Sequence, residues 1–213
     1  MTMDLFQRAV DQAKEFPDRI KKFELYFFGE PLCNPLLPQM IAYARKADVA
    51  ETIDFTTNGL LFSKEKVDEL VANGMPDTIR ISLQGLDEEA YFRIAGAKID
   101  FNRMLENLRY LYQHKGSCKI AMKVADIALK KYPDGKERFE KTFGEVADTL
   151  FIETIIPIYA DVDYNVLIRE SGIMQQEDAR VLHKKRSIRS AIVLSIGLPC
   201  ALMAILPLRA AIS

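Results

Sequence analysis

Short apolar runs that stop at polar residues and a glycine recur three times in the first half of the chain: FELYFFG ending at Gly29, IDFTTNG at Gly59 and IRISLQG at Gly85. Between them apolar residues return at helical spacing. Strand-length runs alternating with helical segments predict successive βα units of a parallel sheet. Helices are predicted over residues 3–16, where Leu5, Phe6, Ala9, Val10 and Ala13 share a face, and over Pro35–Lys46. A third, capped by Ser63, runs through Ala72 and ends at Asn73-Gly74. Asp87–Phe92, Phe101–His114 and Lys136–Phe143 complete the helical set. The strands are predicted at Phe23–Phe28, Thr52–Thr56, Thr78–Leu83, Lys119–Ile127 and Thr149–Ile156. After Pro157 the alternation weakens; Tyr159–Ile168 is mixed and Gln175–Lys185 is polar with helical spacing.

The totals narrow the function. The 213 residues are 49% hydrophobic and 28% charged with a net charge of −1. A phosphate backbone is bound by clustered Lys and Arg, so this balance gives no reason to expect a nucleic-acid partner. Cys33, Cys118 and Cys200 are odd in number and far apart, which fits a reducing cytoplasm better than a disulfide framework. The N-terminal stretch reads as an acid-bearing amphipathic helix, not a signal peptide. Ala191–Leu208 carries no charge and follows Lys184, Lys185, Arg186 and Arg189. Its length admits a membrane span as the alternative to a soluble core, although Gly197, Pro199 and Pro207 interrupt it.

In α/β folds, ligands sit at the carboxyl ends of the strands. Glu30 follows Gly29 and is held by Pro31; its carboxylate would accept from a ligand ammonium, or would pair with a nearby Lys. Thr56, Thr57 and Asn58 would donate to a ligand or satisfy the turn before Gly59. Ser82 and Gln84 would hold ribose hydroxyls or simply close the third strand. Their matching positions on consecutive strands point to one shared site. Lys123 and Glu153 are either site residues at a barrel mouth or an ordinary ion pair. The histidines are His114 and His183, the former in a helix-end context, and there is no Walker loop, G-x-S-x-G or G-x-G-x-x-G.

The ordered series FFGEPLCNPLL, IDFTTNGLL, IRISLQGLDEEAYFRI, FNRMLENLRYL and KIAMKVADIAL resembles the core of a radical S-adenosylmethionine (SAM) enzyme, over about Phe23 to Ile156. The likeness is nearest to members with a C-terminal SPASM or twitch extension. It implies a partial (β/α)6 barrel over residues 1–156, with Phe23–Phe28 in the place of the family's second strand. It implies SAM as cofactor, the methionine amino group on Gly29 and Glu30, and ribose on Ser82, with Gln84 where many relatives have Asp. Thr57, Asn58 and Lys123 join this SAM-binding set as neighbours at the same strand ends. The parent activity is reductive cleavage of SAM and radical modification of a peptide or small molecule.

The family also implies a four-iron–four-sulfur cluster held by C-x-x-x-C-x-x-C after the first strand. No such triplet occurs in this sequence, so the activity is expected to be incomplete in this chain alone. The other reading is a non-catalytic α/β module that binds SAM or serves as a scaffold, tethered to a membrane by its tail. Residues 157–213 are expected to form an irregular C-terminal extension, a SPASM-like remnant or a hydrophobic tail. There LPCALMAILPLRAAIS resembles a SPASM start without its cysteine, aromatic and Asp-Gly elements. With the first strand missing, the edge of Phe23–Phe28 is left exposed, and self-association through it is expected.

Overall fold

In the computed structural model, residues 1–27, 29–154 and the backbone of Ala191–Val193 are described. The chain has the α/β fold that the hydrophobic pattern predicts. Helix α1 (Met3–Ala13) leads into strand β1 (Ile20–Glu24), α2 (Leu37–Lys46), β2 (Ala50–Thr57), α3 (Lys64–Asn73) and β3 (Thr78–Leu83). Next come α4 (Glu88–Ala95), α5 (Phe101–His114), β4 (Lys119–Ala125), α6 (Asp126–Leu129), α7 (Gly135–Phe143) and β5 (Thr149–Glu153). A strand β6 (Ala191–Val193) completes the described elements.

All pairings are parallel, and the order is β5-β4-β3-β2-β1-β6. From β1 to β5 the order follows the sequence without the reversal that marks doubly wound sheets. Right-handed crossovers in such a series place successive helices on one face, which is how a (β/α) barrel is wound. Burial agrees. Phe23, Ile53, Phe55, Ile79, Ile81, Ile120 and Met122 share one core with Phe6, Val10, Met40, Leu70, Leu108 and Phe139 of the helices. The alternate strand positions, among them Lys22, Glu24, Asp54, Thr56, Arg80, Ser82 and Lys123, belong to the opposite face.

Local chemistry sets the element ends. The Thr2 hydroxyl accepts from Leu5 N, Ser63 from Lys66 N at 3.3 Å, Asp87 from Ala90 N at 2.8 Å and Asp100 from Arg103 N at 2.9 Å. Each satisfies an amide that a helix start leaves open. Asp77 and Asp148, at the starts of β3 and β5, accept from Ile53 N at 2.8 Å and Ile120 N at 2.7 Å. They stitch neighbouring strands together at the end opposite the candidate site.

Several element ends shift by a few residues, and three differences from expectation bear on the site. β1 occupies Ile20–Glu24, and the residues Leu25, Tyr26 and Phe27 beyond it are not part of the strand. β4 ends at Ala125, and Asp126 opens a short helix where a strand was predicted to Ile127. The outer edge of β1 is not open along its length: Lys22, Phe23 and Glu24 pair with Ala191, Ile192 and Val193. The tail that was read as an irregular extension thus supplies a strand to the edge expected to be bare. The predictions for residues 157–190 and 194–213, including the remainder of the membrane-span alternative, lie outside the described residues. Among the described residues no helix is long and apolar enough to cross a membrane.

Candidate functional site

The turn after β1 delivers Glu30 to the end of β2. Gly29 sits at φ +100°, a left-handed conformation that glycine adopts at little cost. Glu30 then opens a 3₁₀ turn, Pro31–Cys33, and its Oε1 accepts from Leu32 N at 3.1 Å. Across the sheet the same oxygen accepts from the Thr57 hydroxyl at 2.5 Å, and Oε2 accepts from Asn58 N at 2.8 Å. Thr57 Oγ1 in turn accepts from Gly59 N at 3.0 Å, and Asn58 Oδ1 from Leu60 N at 2.9 Å. Glu30 is therefore a brace that joins two strand ends.

That brace is buried, with Glu30 3% exposed. Burial pushes the Glu30 carboxyl above its usual range, only partly opposed by the hydrogen bonds from Asn58, Thr57 and Leu32. Among the described residues its carboxylate accepts from neutral donors, which fill three of about four lone-pair positions. Among the described residues one position on Oε2 remains.

The other expected site residues fall at the same end of the sheet. Ser82 is half-buried near the end of β3, and Gln84 follows in the turn. Lys123 is the register partner of Ser82, one strand over. Its ammonium pairs with Glu153 at 2.7 Å, so the two residues singled out together do meet as an ion pair. Thr57 spends its hydroxyl proton on Glu30, and Thr56 turns to the other face with Oγ1 buried and without a hydrogen-bond partner among the described residues. His114 is an exposed helix end, its ring stacked on Tyr110 at 4.0 Å.

Sequence reading missed a charged layer on the face away from the helices. Lys22 pairs with Glu24 at 2.7 Å and Asp54 at 3.4 Å; Arg80 pairs with Asp54 at 2.9 Å and lies 3.6 Å from Glu24. The signal was present as single charges alternating with apolar residues in KFEL, TIDF and TIRI. Only the strand register brings them together.

The described residues do not fit an iron–sulfur cluster. Cys33 lies just past the carboxyl end of β1, whereas Cys118 immediately precedes the start of β4, at the other end of the sheet. Burial pushes the Cys118 thiol up to about 12, far from the thiolate form that binds iron. No group of three or more His, Cys, Asp or Glu among the described residues is placed to hold a metal.

Comparison with known proteins adds the family. One relative is GTP 3′,8-cyclase of Chlorobaculum tepidum, 36% identical over 66 residues, which are 31% of this chain and 19% of that protein. Another is PqqA peptide cyclase of Streptomyces rochei, 34% identical over 100 residues, 46% of this chain and 26% of that one. The matched stretches thus span about a quarter of these relatives or less. Among solved structures, Streptococcus suis SuiB bound to S-adenosylmethionine superimposes with a TM-score of 0.49 at 13% identity, covering 93% of this chain and 52% of that one. The family model of the radical SAM superfamily matches residues 2–125. That is more than half of the 213 residues, and the chain belongs to the radical SAM superfamily.

Proposed function

We propose that the strand-end cluster binds SAM, and that the chain is the barrel portion of an enzyme that reductively cleaves SAM and modifies a peptide or small molecule by radical chemistry. The observation that carries this is Glu30. A carboxylate buried among neutral donors holds an uncompensated charge, and an ammonium group reaching its open Oε2 position would relieve it. The amino group of SAM is such a partner. In this reading it meets Gly29 and Glu30, as the resemblance to the family implies, with ribose toward Ser82 and Gln84, and with Asn58 and Lys123 at the adjoining strand ends. Pro31 and Thr57 act through Glu30: one fixes the turn, the other donates to the carboxylate.

Bound SAM supplies the adenosyl group that the family's chemistry uses; the residues of this chain hold and orient it. Because Cys33 and Cys118 do not fit the cluster, no electron-transfer step is assigned to them. The likeness to SPASM or twitch members is part of this proposal. The two relatives are named for a nucleotide and a peptide reaction, which supports each substrate class equally.

Titration calorimetry with SAM tests the reading. One saturable site is expected, tighter as pH rises through the titration of Glu30, because binding a cation favours its ionised form. Glu30→Gln is expected to weaken binding about tenfold or more, and Ser82→Ala about tenfold, as for one lost charge-assisted or neutral hydrogen bond. Absence of saturable binding in the wild-type chain would overturn it.

A further inference from the structure

The charged layer holds three buried atoms without hydrogen-bond partners among the described residues: Asp54 Oδ1, Thr56 Oγ1 and Arg80 Nη1, the last 3.6 Å from Glu24 Oε1 and beyond hydrogen-bond reach of it. Buried polar atoms in folded proteins are almost always satisfied, so three in one cluster mark a place meant for another polar group. They belong together. Thr56 and Arg80 are register partners, and Arg80 Nη2 reaches back 2.9 Å to Asp54 Oδ2 on the same strand as Thr56. Asp54 is 2% exposed. Above it Lys22 and Arg80 keep 33% and 30% of their side chains exposed, so the cluster meets the outside through two long, movable cations.

The chemistry of the three atoms restricts what completes them. Asp54 Oδ1 only accepts, Arg80 Nη1 only donates, and the Thr56 hydroxyl does either. A carboxylate or phosphate would set its charge against Asp54. An ammonium would find no acceptor role for Arg80 and would be repelled by it. A neutral group that presents N–H and C=O side by side satisfies all three.

We propose that Asp54, Thr56 and Arg80 form a recognition floor for an amide group of the substrate. Asp54 accepts its N–H and Arg80 donates to its C=O. The group comes from a peptide or from the amide edge of a nucleobase, and it enters past the Lys22 side chain while Arg80 stays on Asp54. This names the substrate chemistry of the site proposed above and rests on that reading. The direction is fitting: the floor lies on the sheet face away from the helices, one strand layer below Ser82 and Lys123.

Ligand-observed NMR on the full chain tests it with four probes: N-acetylglycine methylamide, uracil, acetate and methylammonium. One or both amides are expected to bind saturably, and the ions are not. Binding of the peptide probe alone assigns a peptide substrate, and binding of uracil alone a nucleobase. Thr56→Val removes the hydroxyl at constant shape and Arg80→Lys keeps a cation beside Asp54 without the second donor. Each is expected to weaken the bound amide about tenfold, with the Thr56→Val melting temperature unchanged or raised. If Arg80→Lys fails to fold, Thr56→Val decides. Equal binding of acetate or methylammonium, no amide binding, or unchanged affinity in Thr56→Val would overturn the proposal. SAM calorimetry on the same samples separates the two claims, since SAM binding without amide selectivity removes the floor and leaves the SAM site.

Discussion

Glu30 carries two duties that pull against each other: it braces two strand ends and holds charge in a buried place. Its native carboxyl titrates above its unfolded value of 4.5, so between those two points the folded chain binds the extra proton. Stability contributed through this group is therefore greatest below about pH 4.5 and declines as pH rises through the native titration. Urea melts across that range are expected to show this slope flattened in Glu30→Gln. Glu30→Ala strands Leu32 N, Asn58 N and the Thr57 hydroxyl, and a loss of about 3 kcal/mol or more is expected from three unsatisfied groups. Lys123 is the opposite case. Glu153 is 59% exposed at the side chain, so Lys123→Met is expected to change stability by no more than about 0.5 kcal/mol. A fall in SAM affinity at unchanged stability would then place Lys123 in the site.

Among the elements, β3 and α5 were legible to the residue, because β3 alternates buried and half-buried positions throughout and α5 has both its Asp100 cap and the stripe Met104, Leu108, Leu111. β1 was not. Its Lys21 and Lys22 made the start of Ile20–Glu24 read as polar, so the strand was expected at Phe23–Phe28. The position of Lys22 makes sense only once Glu24, two residues on along β1, and Asp54 of β2, the register partner of Glu24, stand beside it. For the same reason Glu30, Thr57 and Asn58 were visible as turn chemistry, whereas Asp54 and Arg80 were not. The junction of β3 with α4 has little room: a Cβ on Gly85 would stand 2.4 Å from Ala90 Cβ. Gly85→Ala is expected to cost about 1–3 kcal/mol by thermal denaturation, as overpacking does. At the sheet edge, deleting residues 191–213 removes the partner of Lys22–Glu24. Light scattering is expected to show more self-association after that deletion, since an unpaired strand edge templates pairing; an unchanged mass distribution would contradict the edge role of β6.

For the molecule as a whole, a parallel sheet in sequential order gathers the strand-end residues Glu30, Asn58, Ser82 and Lys123 at one rim and a charged layer beneath them. The α/β class and the parallel βα units were legible because apolar runs and helical stripes alternate, whereas the barrel winding was expected only from the family resemblance. The cluster assessment is checked by iron and sulfide analysis after anaerobic reconstitution: no stoichiometric cluster is expected in this chain, and iron lost in Cys33→Ala would contradict that. The central claim is that SAM binds at the rim. Amide chemical shifts measured on adding SAM test it most directly. The expected result is saturable change confined to residues 29–33, 57–60, 82–86 and the end of β4. Shifts absent there, or centred at the opposite end of the sheet around Asp77 and Asp148, would contradict the account.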